Sequence, residues 1–271
     1  MVFSDLDGSL LDHHNYAYDA AQPALDKLRA NNIPLVLVSS KTRAEIEGIR
    51  ASLGNTEAFI VENGAAVYVP KNLSGTPPAG CKDGGAFWVY ETTARRAHWL
   101  EIIARVGAHY PGQYQTFHAA GIQGIQAMTG LGHAEAAAAN RRDYTEPVAW
   151  LGSADDKQRF VADLEAAGAS VQQGGRFLSV SGDCDKGRAL LWLRQYYQQL
   201  RQADTVTDIA IGDSGNDVAM LEVADTALLI RSPNHNFPSL QRTAAVMHSD
   251  SLGPLGWNEG ITAWLESQGI K

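Results

Sequence analysis

Two aspartates close to the start of the chain have the spacing of a catalytic or metal-binding carboxylate pair. Asp5 and Asp7 follow a short apolar stretch that we interpret as a buried strand, and Gly8 comes directly after them. Side chains of an extended chain alternate with a period of two, so both carboxylates point to the same side. Two like charges this close need neutralising, and Mg²⁺, which prefers oxygen ligands, would do so. The alternative is an ordinary surface turn, in which Asp and Gly are common.

Three later segments carry side chains that suit the same chemistry. Ser39 follows a second apolar run, Lys186 begins a predicted helix, and Asp213 and Asp217 follow a late predicted strand. Taken singly, each has a simpler explanation: a serine at a helix entry, a solvated lysine, or an acid that compensates a helix dipole. We favour one joint site because all of them stand, in order, at the ends of predicted strands or the start of a helix.

Alternating strands and helices are expected to bring these residues together. Apolar runs at 33–38 and 58–61 predict buried parallel strands, and the segments between them have helical periodicity. Such alternation is typical of right-handed βαβ units and a parallel sheet. Ligands of these sheets bind at the carboxyl ends of the strands, which is where Asp5, Ser39 and Glu62 stand.

The composition changes in the middle of the chain. Residues 70–85 are rich in proline and glycine and read as turns or a linker. We therefore predict a core formed by residues 1–83 and 175–271, with residues 84–174 as an inserted domain. The expected fold class is α/β, with a Rossmann-like, doubly wound parallel sheet in the core and an α+β insertion. The turns at the end of the proline-rich stretch and Gly174-Gly175 are candidate hinges between the two parts.

Composition and charge disfavour several classes of protein. The chain has 271 residues, 45% of them hydrophobic, and a net charge of −8. This acidic balance argues against nucleic acid or an anionic membrane as the main partner. Cys81 and Cys184 form no disulfide framework, which fits a reducing cytoplasm. No apolar run is long enough to span a bilayer, and no basic segment followed by an apolar one opens the chain, so we expect neither a membrane span nor a signal peptide.

The motifs, in this order, resemble the haloacid-dehalogenase-like phosphatases, in the branch whose large cap domain is inserted between the second and third motifs. The turn Glu62-Asn63-Gly64 is similar to a signature of that branch. Residues 39–45, 142–147, and 174–177 with 182–187 resemble the mannosyl-3-phosphoglycerate phosphatases in particular. One departure is Ser9, where that family more often has threonine, and it keeps the hydroxyl group.

The resemblance implies a phosphatase that works through an aspartyl-phosphate. Asp5 would be the nucleophile, and Asp7 the general acid for the leaving alkoxide and then the base for the attacking water. Asp7 must then be protonated when substrate binds, and desolvation under a closed cap would raise its pKa in that direction. Ser39 and Lys186 would hold the phosphate oxygens and the charge that develops on them.

The resemblance also implies a Mg²⁺ cofactor. Its ligands would be Asp5, the backbone carbonyl of Asp7, and Asp213, with phosphate and water completing six oxygens. Asp217 and Asn216 would orient these ligands and the lysine, so we count Asp217 with the metal site.

The implied substrate is a phosphorylated sugar derivative, a glycosylated 3-phosphoglycerate, whose dephosphorylation gives a compatible solute such as mannosylglycerate. It carries a carboxylate as well as a phosphate, so basic residues are expected to bind it. Four are candidates: Lys41, Arg43, Arg142 and Arg176. Glu146 and Tyr144 are candidates for the sugar hydroxyls.

Other functions remain open at this point. The glucosyl-3-phosphoglycerate, or another sugar phosphate such as sucrose-6-phosphate, would suit the same core because the inserted domain decides specificity. A sugar phosphomutase would need a second phosphate pocket, which the sequence does not show. A phospho-accepting receiver module uses a similar acidic pocket. It needs no acid two residues after its nucleophile and has no inserted domain, so Asp7 and residues 86–174 favour an enzyme.

Overall fold

Two β-sheets organise the chain in the computed structural model, which describes residues 1–173 and 176–270. In chain order the strands are β1 (Val2–Ser4), β2 (Leu35–Val38), β3 (Phe59–Val61), β4 (Ala66–Pro70), β5 (Lys82–Asp83), β6 (Phe87–Glu91), β7 (Tyr114–Thr116), β8 (Glu146–Trp150), β9 (Ser170–Gln173), β10 (Leu178–Ser181), β11 (Ile209–Gly212), β12 (Thr226–Arg231) and β13 (Val246–Leu252). The larger sheet has the order β13-β12-β11-β1-β2-β3-β4-β6-β5, and the smaller has the order β7-β8-β10-β9.

The helices cover both sheets. They are α1 (Gln22–Ala30), α2 (Arg43–Leu53), α3 (Arg96–Gly107), α4 (Phe117–Thr129), α5 (His133–Asn140), α6 (Ala154–Ala166), α7 (Lys186–Arg201), α8 (Val218–Val223) and α9 (Gly253–Ser267). Short 3₁₀ turns lie at Asp19–Ala21, Glu62–Gly64 and Gly215–Asp217. Across residues 1–173 and 176–270, no helix combines the length and the apolar character that crossing a bilayer requires.

The larger sheet is parallel from β13 through β3 and has an apolar core on each face. Val2 and Phe3 on the central strand β1 are both fully buried and contribute to opposite cores, because successive side chains point to opposite faces. Helices α1, α2 and α9 cover one face, while α7 and α8 cover the other. This doubly wound arrangement confirms the predicted fold class, and it places the carboxyl ends of β1, β2, β3 and β11 at one edge.

The smaller sheet is antiparallel throughout and belongs to the inserted domain, which we call the cap. Its core contains Trp99 and Ile103 of α3, Phe160 of α6, and Val148 and Val180 of the sheet. The first turn of α6 is capped, since the side chain of Ser153 accepts a hydrogen bond from the backbone N–H of Asp156. Helix α5 faces back toward the core, where the Thr42 hydroxyl donates to the carbonyl of Ala138 over 3.0 Å.

Two strands belong to a different sheet from the one that the predicted domain boundaries imply. Residues 87–90 fall within the predicted insertion 84–174, but they belong to β6, which pairs antiparallel with β4 of the core. Phe87 packs there edge-on against Phe59, and this contact between distant segments is not visible in a sequence pattern. Residues 178–181 fall within the predicted core segment 175–271, but they form β10, which pairs antiparallel with β8 and β9 of the cap.

The alternation of β10 explains its placement. Leu178 and Val180 are buried while Ser179 is only half-buried, a pattern typical of antiparallel strands with one covered face rather than of fully buried parallel strands. The pairings therefore extend the core sheet to Glu91 and the cap sheet to Ser181. The predicted boundary between residues 174 and 175, and the hinge at Gly174-Gly175, lie outside the described residues.

Candidate active site

A buried lysine between two aspartates forms the centre of the carboxyl edge of the sheet. Lys186 is fully buried, and its Nζ lies 2.6 Å from Oδ1 of Asp5 and 2.6 Å from Oδ1 of Asp217. Lys186 begins α7, whose start is fixed because the side chain of Asp185 accepts from the backbone of Arg188. Burial alone would lower the pKa of Lys186, but Asp217 and Asp5 outweigh it and raise the pKa. The two carboxylates therefore favour the charged form of Lys186.

The loop after β11 brings Asp213 onto the first aspartate loop. Oδ2 of Asp217 accepts hydrogen bonds from the backbone N–H groups of Asp213 and Ser214, both over 3.1 Å, which fixes this loop. Gly8 has a φ of +79°, and a Cβ there would lie 2.7 Å from Oδ2 of Asp213. Only glycine fits this approach, so the loop carrying Asp5 and the loop carrying Asp213 can meet.

Asp7 and the loop after β2 form the second part of the site. Nζ of Lys41 lies 2.9 Å from Oδ1 of Asp7, whose side chain is 38% exposed. Ser39 is 1% exposed, and its hydroxyl oxygen accepts from the backbone N–H of Lys41 over 3.2 Å. Burial alone would lower the pKa of Lys41, but Asp7 raises it. The structure thus brings Asp7, Ser39 and Lys41 together.

Arg142 is a cap residue that reaches the core at this edge. Its guanidinium donates to the carbonyl of Ser40 over 2.6 Å and to the Thr145 hydroxyl over 2.8 Å. Its Nε also lies 3.5 Å from Oε2 of Glu62. Arg142 therefore stands beside the loop of Ser39 and Lys41, as its predicted role requires.

The other predicted substrate-binding residues have partners inside the protein. Arg43 pairs with Glu47 and lies over the rings of Tyr68 and Phe87, and Arg176 donates to two carbonyls at the end of α4. Glu146 is fully buried and accepts from Arg96 and from the backbone of His118.

Tyr144, the remaining candidate for sugar hydroxyls, is likewise held inside the protein. It is fully buried, and its hydroxyl donates to Glu91 over 3.1 Å. Binding of substrate by any of these four side chains stays a prediction, and each would first have to give up the partners described.

Two further features had only weak signals in the sequence. The first is the turn Glu62–Gly64, which resembles a family signature and contains an Asn-Gly pair that indicates a turn. In the structure, the side chain of Asn63 accepts from that of Asn216 over 3.1 Å, and a Cβ on Gly64 would lie 2.1 Å from the carbonyl oxygen of Asp185. This turn therefore contacts the loops that carry Asp213 and Lys186. His235, with Nε2 3.6 Å from Oδ2 of Asp213, comes from a late loop that no motif marks.

Comparison with known proteins agrees with this geometry. The family model for haloacid dehalogenase-like hydrolases matches residues 2–74. A glucosyl-3-phosphoglycerate/mannosyl-3-phosphoglycerate phosphatase of Methanococcoides burtonii is 35% identical over 266 residues, covering 96% of this chain and 95% of that protein. Its namesake from Persephonella marina is 32% identical over 263 residues, with the same coverage of 96% and 95%. The chain belongs to the haloacid dehalogenase-like hydrolases. The predicted family and enzyme class, a phosphoric monoester hydrolase, are confirmed.

Solved structures of haloacid dehalogenase-like hydrolases share the fold. A phosphatase of this superfamily from Bacteroides thetaiotaomicron aligns with a TM-score of 0.67 at 16% identity, covering 100% of this chain and 95% of that one. The sucrose-phosphatase from a Synechocystis species, solved with sucrose and phosphate, aligns with a TM-score of 0.59 at 14% identity, covering 97% and 96%. At these identities the likeness shows the fold alone.

The acidic residues of this haloacid dehalogenase-like hydrolase suit a hard divalent cation. Ligand atoms of Asp5, Asp213 and Asp217, all buried, lie within 4.8 Å of one another. Burial, with the charge of Asp217, raises the pKa of Asp5 well above its usual range and that of Asp213 to about 6. A cation would offset the repulsion between these neighbouring carboxylates. Asp217 already accepts from Lys186 and from two backbone N–H groups, so it fits a supporting position better than a direct one.

Mg²⁺ is expected to raise the melting temperature more at about pH 7.5 than at about pH 5, because protons compete with it for the raised carboxylates. Without a cation the folded protein binds more protons than the unfolded chain while Asp213 titrates between 3.8 and about 6. This site therefore makes the free energy of unfolding fall as the pH rises through that window. Scanning calorimetry with and without Mg²⁺ at both pH values checks this, and an equal shift at both would contradict it.

Replacing Lys186 with Met is expected to lower the free energy of unfolding in chelator by about 3–5 kcal/mol, because it leaves two buried carboxylates without their counter-charge. The loss should shrink at acid pH, where those carboxylates are protonated. Urea unfolding measures both values. Lys82→Met is the matched control: the side chain is 71% exposed and paired only with Glu91 among the ion pairs described, so about 1 kcal/mol or less is expected. An unchanged free energy of unfolding in Lys186→Met would show that the charges of Lys186, Asp5 and Asp217 are not coupled.

Proposed function

We propose that this protein removes the phosphate of mannosyl-3-phosphoglycerate to give mannosylglycerate, with Mg²⁺ as cofactor and through an aspartyl-phosphate on Asp5. Independently of this proposal, the chain is a sugar phosphatase of the haloacid dehalogenase type. Glucosyl-3-phosphoglycerate is the alternative substrate, since the names of the two relatives that match along 95% of their length contain both compounds. We also propose a cytoplasmic location, which the unpaired thiols of Cys81 and Cys184 support.

The observation that carries the substrate proposal is the pair of cations beside Ser39. Lys41 belongs to the loop that follows β2, and Arg142, from the cap, donates to the Ser40 carbonyl of the same loop. We assign the phosphate to Lys186 and Ser39, and we assign these two cations, which would first have to release Asp7 and Ser40, to a second anionic group. A glycosylated 3-phosphoglycerate carries a carboxylate there, whereas sucrose-6-phosphate does not. The pair therefore favours the phosphoglycerate derivative.

The proposed reaction has two displacements at phosphorus. In the first, a carboxylate oxygen of Asp5 forms a bond to phosphorus, the bond to the glycerate oxygen breaks, and Asp7 gives that oxygen its proton. In the second, Asp7 takes a proton from water, the water oxygen bonds to phosphorus, and the Asp5 carboxylate leaves. Lys186 stays beside Asp5 and offsets the charge on the phosphoryl oxygens in both steps.

Two of these side chains are buried or exposed as their roles require. Lys186 is fully buried and fixed, while Asp7 is partly exposed and can approach a leaving group. When bound, Mg²⁺ held by Asp5, Asp213 and the carbonyl of Asp7 supplies charge neutralisation. Closure of the cap onto the edge, through contacts such as that of Arg142 with Ser40, excludes water from the first step.

The proposal is tested by measuring phosphate release with Mg²⁺ and with chelator. The substrates are mannosyl-3-phosphoglycerate, glucosyl-3-phosphoglycerate, sucrose-6-phosphate and simple hexose phosphates. We expect metal-dependent release, with kcat/KM for a glycosylated phosphoglycerate at least about tenfold above that for the neutral sugar phosphates. Metal-dependent activity spread evenly over hexose phosphates would support the proposed reaction but rule out the proposed substrate. No activity on any of them would overturn the proposal.

A further inference from the structure

We propose that Glu62 is a positioning residue: it holds the cap segment 142–145 on the active-site edge of the core and acts on the substrate through Arg142. This inference rests on the proposed function, because Arg142 is one of the two cations assigned to the substrate carboxylate. Neither the motifs nor the comparisons give Glu62 a role.

On the core side, Glu62 is fixed to the loop that carries Ser39. It directly follows β3, is 1% exposed and has a φ of +50°, which is uncommon for a residue with a side chain. Its backbone N–H donates to the carbonyl of Lys41 over 3.0 Å, and the N–H of Asn63 donates to that of Ser39 over 3.0 Å. The strained conformation aims the Glu62 side chain away from the sheet and toward the cap.

On the cap side, the Glu62 carboxylate collects donors from one short segment between α5 and β8. Oε1 accepts from the backbone N–H of Asp143 over 2.8 Å. Oε2 accepts from the backbone N–H and the hydroxyl of Thr145, both over 2.8 Å, and from the N–H of Tyr144 over 3.3 Å. Hydrogen bonds to an ionised acceptor are about twice as strong as neutral ones. This single carboxylate therefore satisfies three successive backbone donors of the cap.

The same contacts determine where Arg142 points. Its Nε donates to the Thr145 hydroxyl over 2.8 Å and lies 3.5 Å from Oε2 of Glu62, while its Nη2 donates to the carbonyl of Ser40. Thr145 thus bonds to both charged side chains, and the guanidinium is held between Glu62 and the Ser39 loop. Arg142 has only 8% of its side chain exposed, so it is oriented before substrate arrives.

Glutamate is needed at position 62 for its charge and its length. Glutamine has the same shape, but its NH₂ group would face backbone donors and leave at least one of them unpaired in a buried place. The Glu62→Gln variant should therefore loosen the segment 142–145 without removing any residue that touches substrate.

The experiment compares two substrates on four proteins: the wild type, Glu62→Gln, Arg142→Lys and the double variant. The substrates are mannosyl-3-phosphoglycerate and nitrophenyl phosphate, which has no carboxylate for Arg142. For Glu62→Gln we expect KM for the first to rise about 10- to 100-fold, while kcat/KM for the second stays within about threefold. In an Arg142→Lys background, adding Glu62→Gln should change KM less than about threefold, because the residue through which it acts is already altered.

The matched control is Asp208→Asn. Asp208 is also a fully buried carboxylate that accepts from a backbone N–H and from an arginine, Arg194, but it precedes β11 at the opposite edge of the sheet. The Asp208→Asn variant should leave KM for both substrates unchanged. If Glu62→Gln does not fold, Thr145→Val removes the hydroxyl that links Glu62 to Arg142, and it should raise the same KM in the same direction by a smaller factor.

Three outcomes would overturn the inference. One is an equal loss on both substrates, another is full additivity with Arg142→Lys, and the third is unchanged hydrogen exchange at the amides of residues 143 and 145 in Glu62→Gln. The proposed function fails in a different way: the wild type would then act on nitrophenyl phosphate but on no glycosylated phosphoglycerate. That result would also overturn the role given to Arg142, and the exchange measurement would still decide whether Glu62 holds the cap.

Discussion

Replacing Asp5 with Asn is expected to lower kcat by about 10⁴-fold or more, because the amide cannot attack phosphorus as a carboxylate does. The variant should remain folded. Lys186 keeps Asp217 as a partner, and a neutral group relieves a position where burial and Asp217 already raise the pKa of the carboxyl. Its melting temperature in chelator should therefore equal or exceed that of the wild type, which is the usual relation between strained active sites and stability.

Steady-state phosphate release and calorimetry on the same preparation measure both parts of this prediction. The stabilisation by Mg²⁺ should shrink in the Asp5→Asn variant, since one of the proposed carboxylate ligands is lost. The control is Asp208→Asn, a change of the same kind in a buried carboxylate at the other edge of the sheet. Retained turnover in Asp5→Asn would remove Asp5 from the role of nucleophile.

Replacing Asp7 with Asn is expected to lower kcat on mannosyl-3-phosphoglycerate by about 10²- to 10⁴-fold, the range that a positioned acid or base contributes. The glycerate oxygen is a poor leaving group, so it depends on the proton of Asp7. Nitrophenolate leaves without a proton, so nitrophenyl phosphate should pass the first step in the variant and stall at the second. A rapid release of about one nitrophenolate per enzyme, followed by slow turnover, is the expected time course.

Lys41 provides the control for Asp7, since the ion pair of these two side chains makes them partners. Lys41→Met keeps the acid and removes only its neighbour, so it should show no such burst. Equal kcat in Asp7→Asn and the wild type would show that Asp7 is neither acid nor base.

The candidate site residues whose place in the fold could be predicted from the sequence lie at the ends of regular elements. Asp5 follows β1, Lys186 begins α7 and Asp213 follows β11, so the apolar runs of the strands and the predicted helix start were enough to position them. Parallel strands share one carboxyl edge, and this rule brought the residues together without any knowledge of contacts. The contacts of Lys186 with Asp5 and Asp217, at 2.6 Å each, are consistent with the expectation that these residues meet at that edge.

The features that the sequence did not reveal depend on contacts between distant segments. Glu146 reads as a free carboxylate until Arg96, fifty positions away, is seen beside it. Helix α4 contains Gly121 and Gly124 and was not predicted, because glycine lowers helix propensity and only packing against α5 and β8 compensates. The edge strand β13 carries polar residues that hide its pattern. The role of Glu62 was not visible for a similar reason, since its donors lie about eighty residues further along the chain.

The most direct test of the account is to quench Asp7→Asn with acid during turnover of nitrophenyl phosphate and to map the phosphoryl group by peptide mass analysis. The account predicts one phosphoryl group on the peptide that contains Asp5, formed with Mg²⁺ and absent with chelator, and absent when Asp5 is also replaced by Asn. A phosphoryl group on another residue, or a burst of nitrophenolate with an unlabelled Asp5 peptide, would contradict the nucleophile and the order of the two steps.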